Sequence, residues 1–278
     1  MNKKSIHLAH SPDSDDAFMF YALAQNKIPT GEYEFTHILR DIQTLNVWAF
    51  EGKYEITALS FHAYAKLADR YALLPHGASM GEGYGPMIVA ARPMGEDEAK
   101  TLTIASPGEL TTAHLLLKIW HPEVKFKVVD FMEVIPAVMR GEVDAGLIIH
   151  EGQLTYREQG AHKVLDFGEW WAAREPGLPL PLGGNGIRKD LPAADRTEIS
   201  RLLKASIEYG LADRARGLDH AAQFARGLDR GTMDKFVGMY VNHLTVDYGA
   251  AGRKAVQRLL DLGAERGAIP KVTAEFVD

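Results

Sequence analysis

The chain has 278 residues and a formal net charge of -6, is 46% hydrophobic and 24% charged, and has no cysteine. That length allows one large or two ordinary domains with real cores, and the lack of cysteine excludes disulfides, thiolate nucleophiles and cysteine-ligated metal centres. The acidic balance offers no footprint for nucleic acid or an anionic membrane, and the apolar stretches are too short for a signal-peptide core or a spanning helix, so a cytoplasmic protein is expected.

Ser5 to Ala9 reads as a first strand, followed by the polar turn His10-Ser-Pro-Asp-Ser-Asp-Asp16 and a helix over Ala17 to Ala24. The acids at that helix start suit its macrodipole. Capping explains Asp13, Asp15 and Asp16 better than a metal site does, because their spacing is not that of a calcium loop. Tyr33 to Leu39 is a second strand, and Ile42 to Phe50 a helix whose apolar face holds Ile42, Leu45, Val47, Trp48 and Phe50. Tyr54 to Ser60 is a third strand, and Phe61 to Tyr71 a helix. Ser60 thus falls at a strand-to-helix junction, either as an N-cap or facing a ligand. The glycines of Ser79 to Pro86 fit neither a dinucleotide fingerprint nor a P-loop, which argues against nucleotide binding. Met87 to Ala91 is again a strand.

The charged stretch Arg92 to Lys100, with its proline and glycine, reads as a domain crossing. Beyond it come a strand (Thr101 to Ala105), a helix (Ala113 to Trp120), a strand (Lys125 to Phe131), a helix (Met132 to Arg140) and a strand (Asp144 to Ile149). Such alternation implies a parallel sheet. Thr111 and Thr112 at a helix N-terminus make a natural anion site, with self-capping by Thr111 as the plain alternative. The run Leu147-Ile-Ile149 is a buried strand that stops at His150. In an open α/β sheet that is where ligands bind, and histidine titrates nearest neutral pH. A strand-end cap bonded only to backbone is the other reading of His150. Helix resumes within Gln153 to Glu158, and His162 to Phe167 is a short strand. Leu178 to Ile187 is a Pro/Gly-rich return passage, and from Ala193 onward the chain is almost wholly helical.

The expectation is therefore an α/β protein with the two-lobed fold of type II periplasmic binding proteins. Two mostly parallel β/α domains are joined by two crossings, near Arg92–Lys100 and Arg174–Leu182, with a helical C-terminal part. Residues 1–95 and 179–278 would form the larger domain and 96–178 the smaller inserted one, with a ligand between them.

Ser11-Pro-Asp-Ser-Asp-Asp16, Ser106-Pro-Gly-Glu-Leu-Thr-Thr-Ala113, Ile149-His-Glu-Gly-Gln-Leu-Thr-Tyr156 and Leu178-Pro-Leu-Pro-Leu-Gly-Gly184 together resemble the 1,4-dihydroxy-6-naphthoate synthase family of the futalosine route to menaquinone. His-Glu-Gly-Gln-Leu-Thr is the most specific piece. The resemblance implies a carbon–carbon lyase that converts cyclic dehypoxanthine futalosine to 1,4-dihydroxy-6-naphthoate. It further implies His150 as proton acceptor, substrate contacts at Ala58, Leu59, Ser60, Thr112 and Ala113, a small carboxylate substrate as partner, and no cofactor or metal. Glu151 is a weaker candidate for orienting the imidazole. Two alternatives remain open at this point: the chorismate dehydratase of the same pathway, which shares the fold but not the histidine motif, and a small-molecule binding module.

Overall fold

The computed structural model describes residues 3–149, 151–225 and 227–277. Its strands are β1 (Lys4–His10), β2 (Tyr33–Leu39), β3 (Ile56–Ser60), β4 (Tyr71–Leu73), β5 (Ser79–Gly81), β6 (Met87–Ala90), β7 (Thr103–Ser106), β8 (Lys125–Val128), β9 (Ala145–Ile148), β10 (His162–Asp166) and β11 (Leu180–Arg188). Helices α1 (Ser14–Met19), α2 (Tyr21–Ala24), α3 (Ile42–Phe50) and α4 (Phe61–Ala65) attend the first strands. Helices α5 (Glu96–Ala99), α6 (Thr112–Trp120), α7 (Val134–Met139), α8 (Gly152–Thr155) and α9 (Phe167–Arg174) attend the middle ones. The C-terminal part comprises α10 (Ala193–Ala212), α11 (Arg214–Ala221), α12 (Arg230–Tyr240), α13 (His243–Val246) and α14 (Gly249–Glu265). None of the helices described is long and apolar enough to cross a membrane.

The strands form two sheets. The first runs β2-β1-β3-β11-β4, with β5 also paired to β11, and the second runs β10-β6-β9-β7-β8. Each has a parallel part built by helical crossovers, β2-β1-β3 and β8-β7-β9. Each also has an antiparallel part: β11 against β3, β4 and β5 in the first, and β6 against β9 and β10 in the second. Parallel neighbours β7 and β9 release their following loops at the same sheet edge, and β3 does so in the other sheet, so the strand ends face a common space.

The sheets divide where the sequence reading did not put the boundary. β6 lies before residue 95 but belongs to the second sheet, so the first crossing is the stretch 82–86 between β5 and β6. The charged segment 92–100 is an exposed connection inside the second lobe, carrying the short helix α5. Charge and proline mark any solvated connection, and here they mark the wrong one. Residues 175–179 make the return crossing, between α9 and β11.

β11 itself was read as a passage because of its prolines and glycines. It is an internal strand, and it tolerates Pro181 because the ladder shifts register between Pro181 and Gly183. The expected helix over Phe61 to Tyr71 stops at Ala65, and Tyr71 begins β4. On α3 the inward residues are Leu45, Asn46 and Ala49, whereas Val47 and Phe50 are exposed.

An apolar cluster joins the lobes on one side, from Phe61, Leu73 and Met80 through Leu115 and Leu116 of α6 to Ile104 and Leu147, with Val256 and Leu259 of α14 packed on it. The first crossing also packs against the start of α9. Phe167 N–H donates to Pro86 C=O at 2.9 Å, and a Cβ built on Gly168 would lie 2.1–2.4 Å from the Tyr84 backbone. Nothing larger than glycine fits there. Gly168→Ala is expected to destabilise the fold by about 1–3 kcal/mol, as overpacking does, whereas Gly95→Ala, in open space, should be close to neutral. Urea denaturation of both variants checks this, and equal midpoints would contradict the close packing of the first crossing on α9.

Candidate active site

Between the lobes lies a cavity of about 130 Å³. The first lobe contributes the turn Ser11–Asp16, the end of β3 (Ala58, Leu59, Ser60), the middle of β11 (Gly183 to Asn185) and Tyr240 of α12. The second contributes Thr111, Thr112 and Ala113 at the start of α6, Ile149 beyond β9, and Gln153 of α8. Every substrate-contact residue expected from the sequence, Ala58, Leu59, Ser60, Thr112 and Ala113, lines this one space. His150 lies outside the described residues.

Small polar groups at the strand ends are held by a buried network. Asn46, fully buried on α3, accepts from Ser60 N–H and donates to Ser60 Oγ, both at 3.0 Å. Its amide also donates to the Leu110 carbonyl across the seam at 3.3 Å. Because Ser60 Oγ accepts from Asn46, its own proton points elsewhere and can be given to a ligand. Thr112 Oγ1 similarly accepts from Phe61 N–H at 2.8 Å, leaving its hydroxyl proton to donate. Thr111 caps α6, accepting from His114 N–H at 3.1 Å and donating to Gly108 C=O at 2.8 Å. Self-capping by Thr111 therefore holds, and it coexists with open N–H groups at Thr112 and Ala113, which have no carbonyl one turn earlier in the helix. β11 closes the floor in register, with Gly183 opposite Ser60 and Asn185 opposite Ala58. Gly184 is confined to glycine because a Cβ would meet Tyr248 Oη at 2.4 Å.

At the other end the lobes touch through a phenol. Tyr240 Oη donates to Gln153 Oε1 at 2.9 Å, with both side chains buried. Tyr84, from the first crossing, sets its ring edge-on to Tyr240 at 5.7 Å and donates its hydroxyl to the Met239 carbonyl. Burial drives the Tyr240 pKa far up, so it is a neutral donor. The sequence reading overlooked Asn46, Asn185, Gln153 and Tyr240. Even Asn46 left no usable local signal, because its partners Ser60 and Leu110 are distant in sequence.

The cleft is acidic, and no Lys or Arg is found among its described lining residues. Asp13, Asp15 and Asp16 all line it, and Asp16 Oδ2 accepts from Ser11 N–H at 2.7 Å. Burial, then the charge of Asp13, pushes Asp16 up to about 7. Asp15 is raised well above the ordinary range by burial, then by Asp16, Asp13 and Glu151. Some of the Asp16 surface is exposed, but it opens into the cleft. Among the described residues no group of three or more His, Asp or Glu is arranged to hold a metal ion.

Solved structures define the class first. The fold aligns with the alkanesulfonate-binding protein of Xanthomonas axonopodis pv. citri at a TM-score of 0.72 and 16% identity, covering 99% of this chain and 97% of that one. The periplasmic aliphatic sulphonate binding protein of Escherichia coli aligns at 0.67 and 15%, covering 98% and 90%. This is the periplasmic-binding-protein-like fold. Sequence then narrows it. A family described as menaquinone biosynthesis matches residues 6–265. The 1,4-dihydroxy-6-naphthoate synthase of Thermus thermophilus is 38% identical over 99% of this chain and 100% of its own length. That of Streptomyces coelicolor is 33% identical over 97% and 96%. A crystal structure of a protein from Archaeoglobus fulgidus superposes at a TM-score of 0.91 with 42% identity, covering 95% and 98%. The chain belongs to the menaquinone-biosynthesis family, alongside the proteins named 1,4-dihydroxy-6-naphthoate synthase.

The Asp16 environment has a measurable consequence. Its folded pKa, raised to about 7 from 3.8, means the folded protein holds a proton that the unfolded chain releases. This contribution to stability is fully present below the unfolded value and is lost as pH rises through the folded one. Asp16→Asn should flatten that part of the stability–pH curve between about pH 4 and 7. Urea midpoints across this window test it, and parallel curves for wild type and variant would refute a raised Asp16.

Proposed function

We propose that the chain converts cyclic dehypoxanthine futalosine to 1,4-dihydroxy-6-naphthoate by carbon–carbon cleavage in the interlobe cleft, with His150 as the base. The observation that carries this reading is full-length similarity to the named synthases, joined to a cleft in which Ser60, Thr112 and Ala113 converge. His150 follows Ile149, itself a lining residue.

The substrate carboxylate is held by neutral donors: the Ser60 and Thr112 hydroxyls and the N–H groups at the start of α6. Asp15 and Asp16, both raised, carry less negative charge near neutral pH than ordinary carboxylates would, which eases anion binding without a described lining cation. His150 takes the proton of a substrate hydroxyl, the electron pair collapses to a carbonyl, and the adjacent carbon–carbon bond breaks in a retro-aldol-type step. The released carbon then needs a proton, which the protonated carboxyl of Asp16 can give. The ring aromatises as it leaves. A positioned base supplies about 10²–10⁴-fold, and orientation in a water-poor cleft supplies much of the rest.

Incubation with cyclic dehypoxanthine futalosine and product analysis test the reading directly. Formation of 1,4-dihydroxy-6-naphthoate is expected, and its absence with a folded protein would end the proposal. His150→Asn should lower turnover by about 10²–10⁴-fold with little change in substrate affinity. Intact turnover per folded molecule would remove His150 as the base.

The cavity is smaller than the roughly 300–1,000 Å³ usual for ligand sites, so entry requires the lobes to part. Small-angle scattering should show a ligand-free protein that compacts on saturation with 1,4-dihydroxy-6-naphthoate. Identical profiles would mean a rigid cleft.

A further inference from the structure

A second cavity, of about 610 Å³, opens on another face of α6. Its walls carry His62, Lys66, His114, Lys118 and Phe126, and it reaches Gln43 and Leu110 at the seam between the lobes. The reaction proposed for the cleft uses none of these side chains.

The His62 and His114 rings lie parallel, with centroids 6.1 Å apart and planes 9° from each other. His114 is fixed by Ser106, Nδ1 to Oγ at 2.9 Å, and by the Phe126 ring set edge-on at 4.5 Å. His62 has no such anchor. It is 4% exposed, and neither buried ring nitrogen has a well-formed hydrogen bond. The Thr111 backbone is near enough only to favour the charged ring slightly. Such a group is ordinarily paired in a folded protein.

Cations crowd the same space. Lys66 is exposed and makes no ion pair among the described residues. Lys118 sits over Phe126 at 5.5 Å and donates to the Pro122 carbonyl at 2.8 Å, so it has no acid partner either. Glu109 is the one acid among the described wall residues. Burial holds His62 and His114 at about 4, and the neighbouring lysines push the same way. The one N–H of the neutral His62 ring lacks an acceptor and Lys66 lacks an acid partner among the described residues, so an anion would serve both.

The geometry points to an oxyanion-binding site in this cavity, taking a phosphate-class anion between the His62 ring, Lys66 and Lys118. A phosphate accepts several charge-assisted hydrogen bonds at once, which suits donors arriving from α4, from its C-cap Lys66 and from α6. The seam residue Leu110 lines this cavity, and Thr111 to Ala113 line the cleft. An occupant would therefore steady the turn that presents Thr112 to the substrate.

The test is a titration of the full-length protein, with isotopically labelled histidine rings, by inorganic phosphate at constant ionic strength. His62→Asn and His114→Asn serve to assign the signals. Saturable shifts of both rings are expected. Lys66→Ala with Lys118→Ala should raise the dissociation constant by roughly tenfold or more, the scale of lost charge-assisted contacts. Ser60→Ala, in the cleft, should leave it unchanged. Lys66→Ala alone, at an exposed position, keeps the test standing if the double variant does not fold, and it should also weaken binding. Shifts that rise without saturation, that chloride reproduces, or that Ser60→Ala abolishes while the lysine variants do not would overturn the site.

Discussion

The cleft depends on one buried amide. Asn46 completes the end of β3, taking the Ser60 N–H and supplying a donor to Ser60 Oγ, and it reaches the Leu110 carbonyl in the opposite lobe. A strand that ends in a cavity leaves backbone groups without a ladder, and burying them unpaired costs about 1–3 kcal/mol each. One side chain meets that need and sets the Ser60 proton free for a ligand. Beside it, Gln43 Oε1 accepts from Leu110 N–H at 3.0 Å. Both polar groups of Leu110 are thus held by α3, and α6 begins where these bonds put it.

Electrostatics follow from the same enclosure. A cleft lined by aspartates and by no described cation would repel an anion if the acids were charged. Burial reverses the situation by making the charged carboxylate the costly form. With the charge on Asp15 and Asp16 reduced, hydroxyls and helix N–H groups can hold an anion there without a salt bridge. Tyr240 extends this pattern at the far end, where a neutral phenol meets Gln153.

Much of this was legible in the chain itself. Strand ends at Ser60 and Ile149, and a helix beginning Thr-Thr-Ala, follow from hydrophobic period and capping chemistry, both local properties. The fold class was readable for the same reason, since alternating β and α elements leave few topologies. What escaped was non-local. Whether Met87–Ala90 joins the first sheet or the second depends on β9 and β10, distant in sequence, and nothing within the strand records that choice. β11 was hidden because Pro181 and its glycines signal a turn everywhere except at a bulge beside a packed aromatic. Asn46 looked like any helix polar residue until Ser60 and Leu110 were placed around it.

The position of β11 also bears on how the chain is made. It lies between β3 and β4 in the first sheet, yet its residues, 180–188, follow the whole second lobe in sequence. All strands of the second sheet lie within 87–166, a contiguous stretch. As the chain leaves the ribosome, the inserted lobe has its full complement of strands while the host sheet still lacks an internal one. β1, β2 and β3 then expose an open edge at β3 for the time needed to synthesise more than a hundred further residues. An unpaired edge of that kind is an invitation to wrong partners, and β3 meets it by being only five residues long. The order of synthesis thus favours a host that waits for its guest: the strand that seals the first lobe arrives only after the second can already have closed.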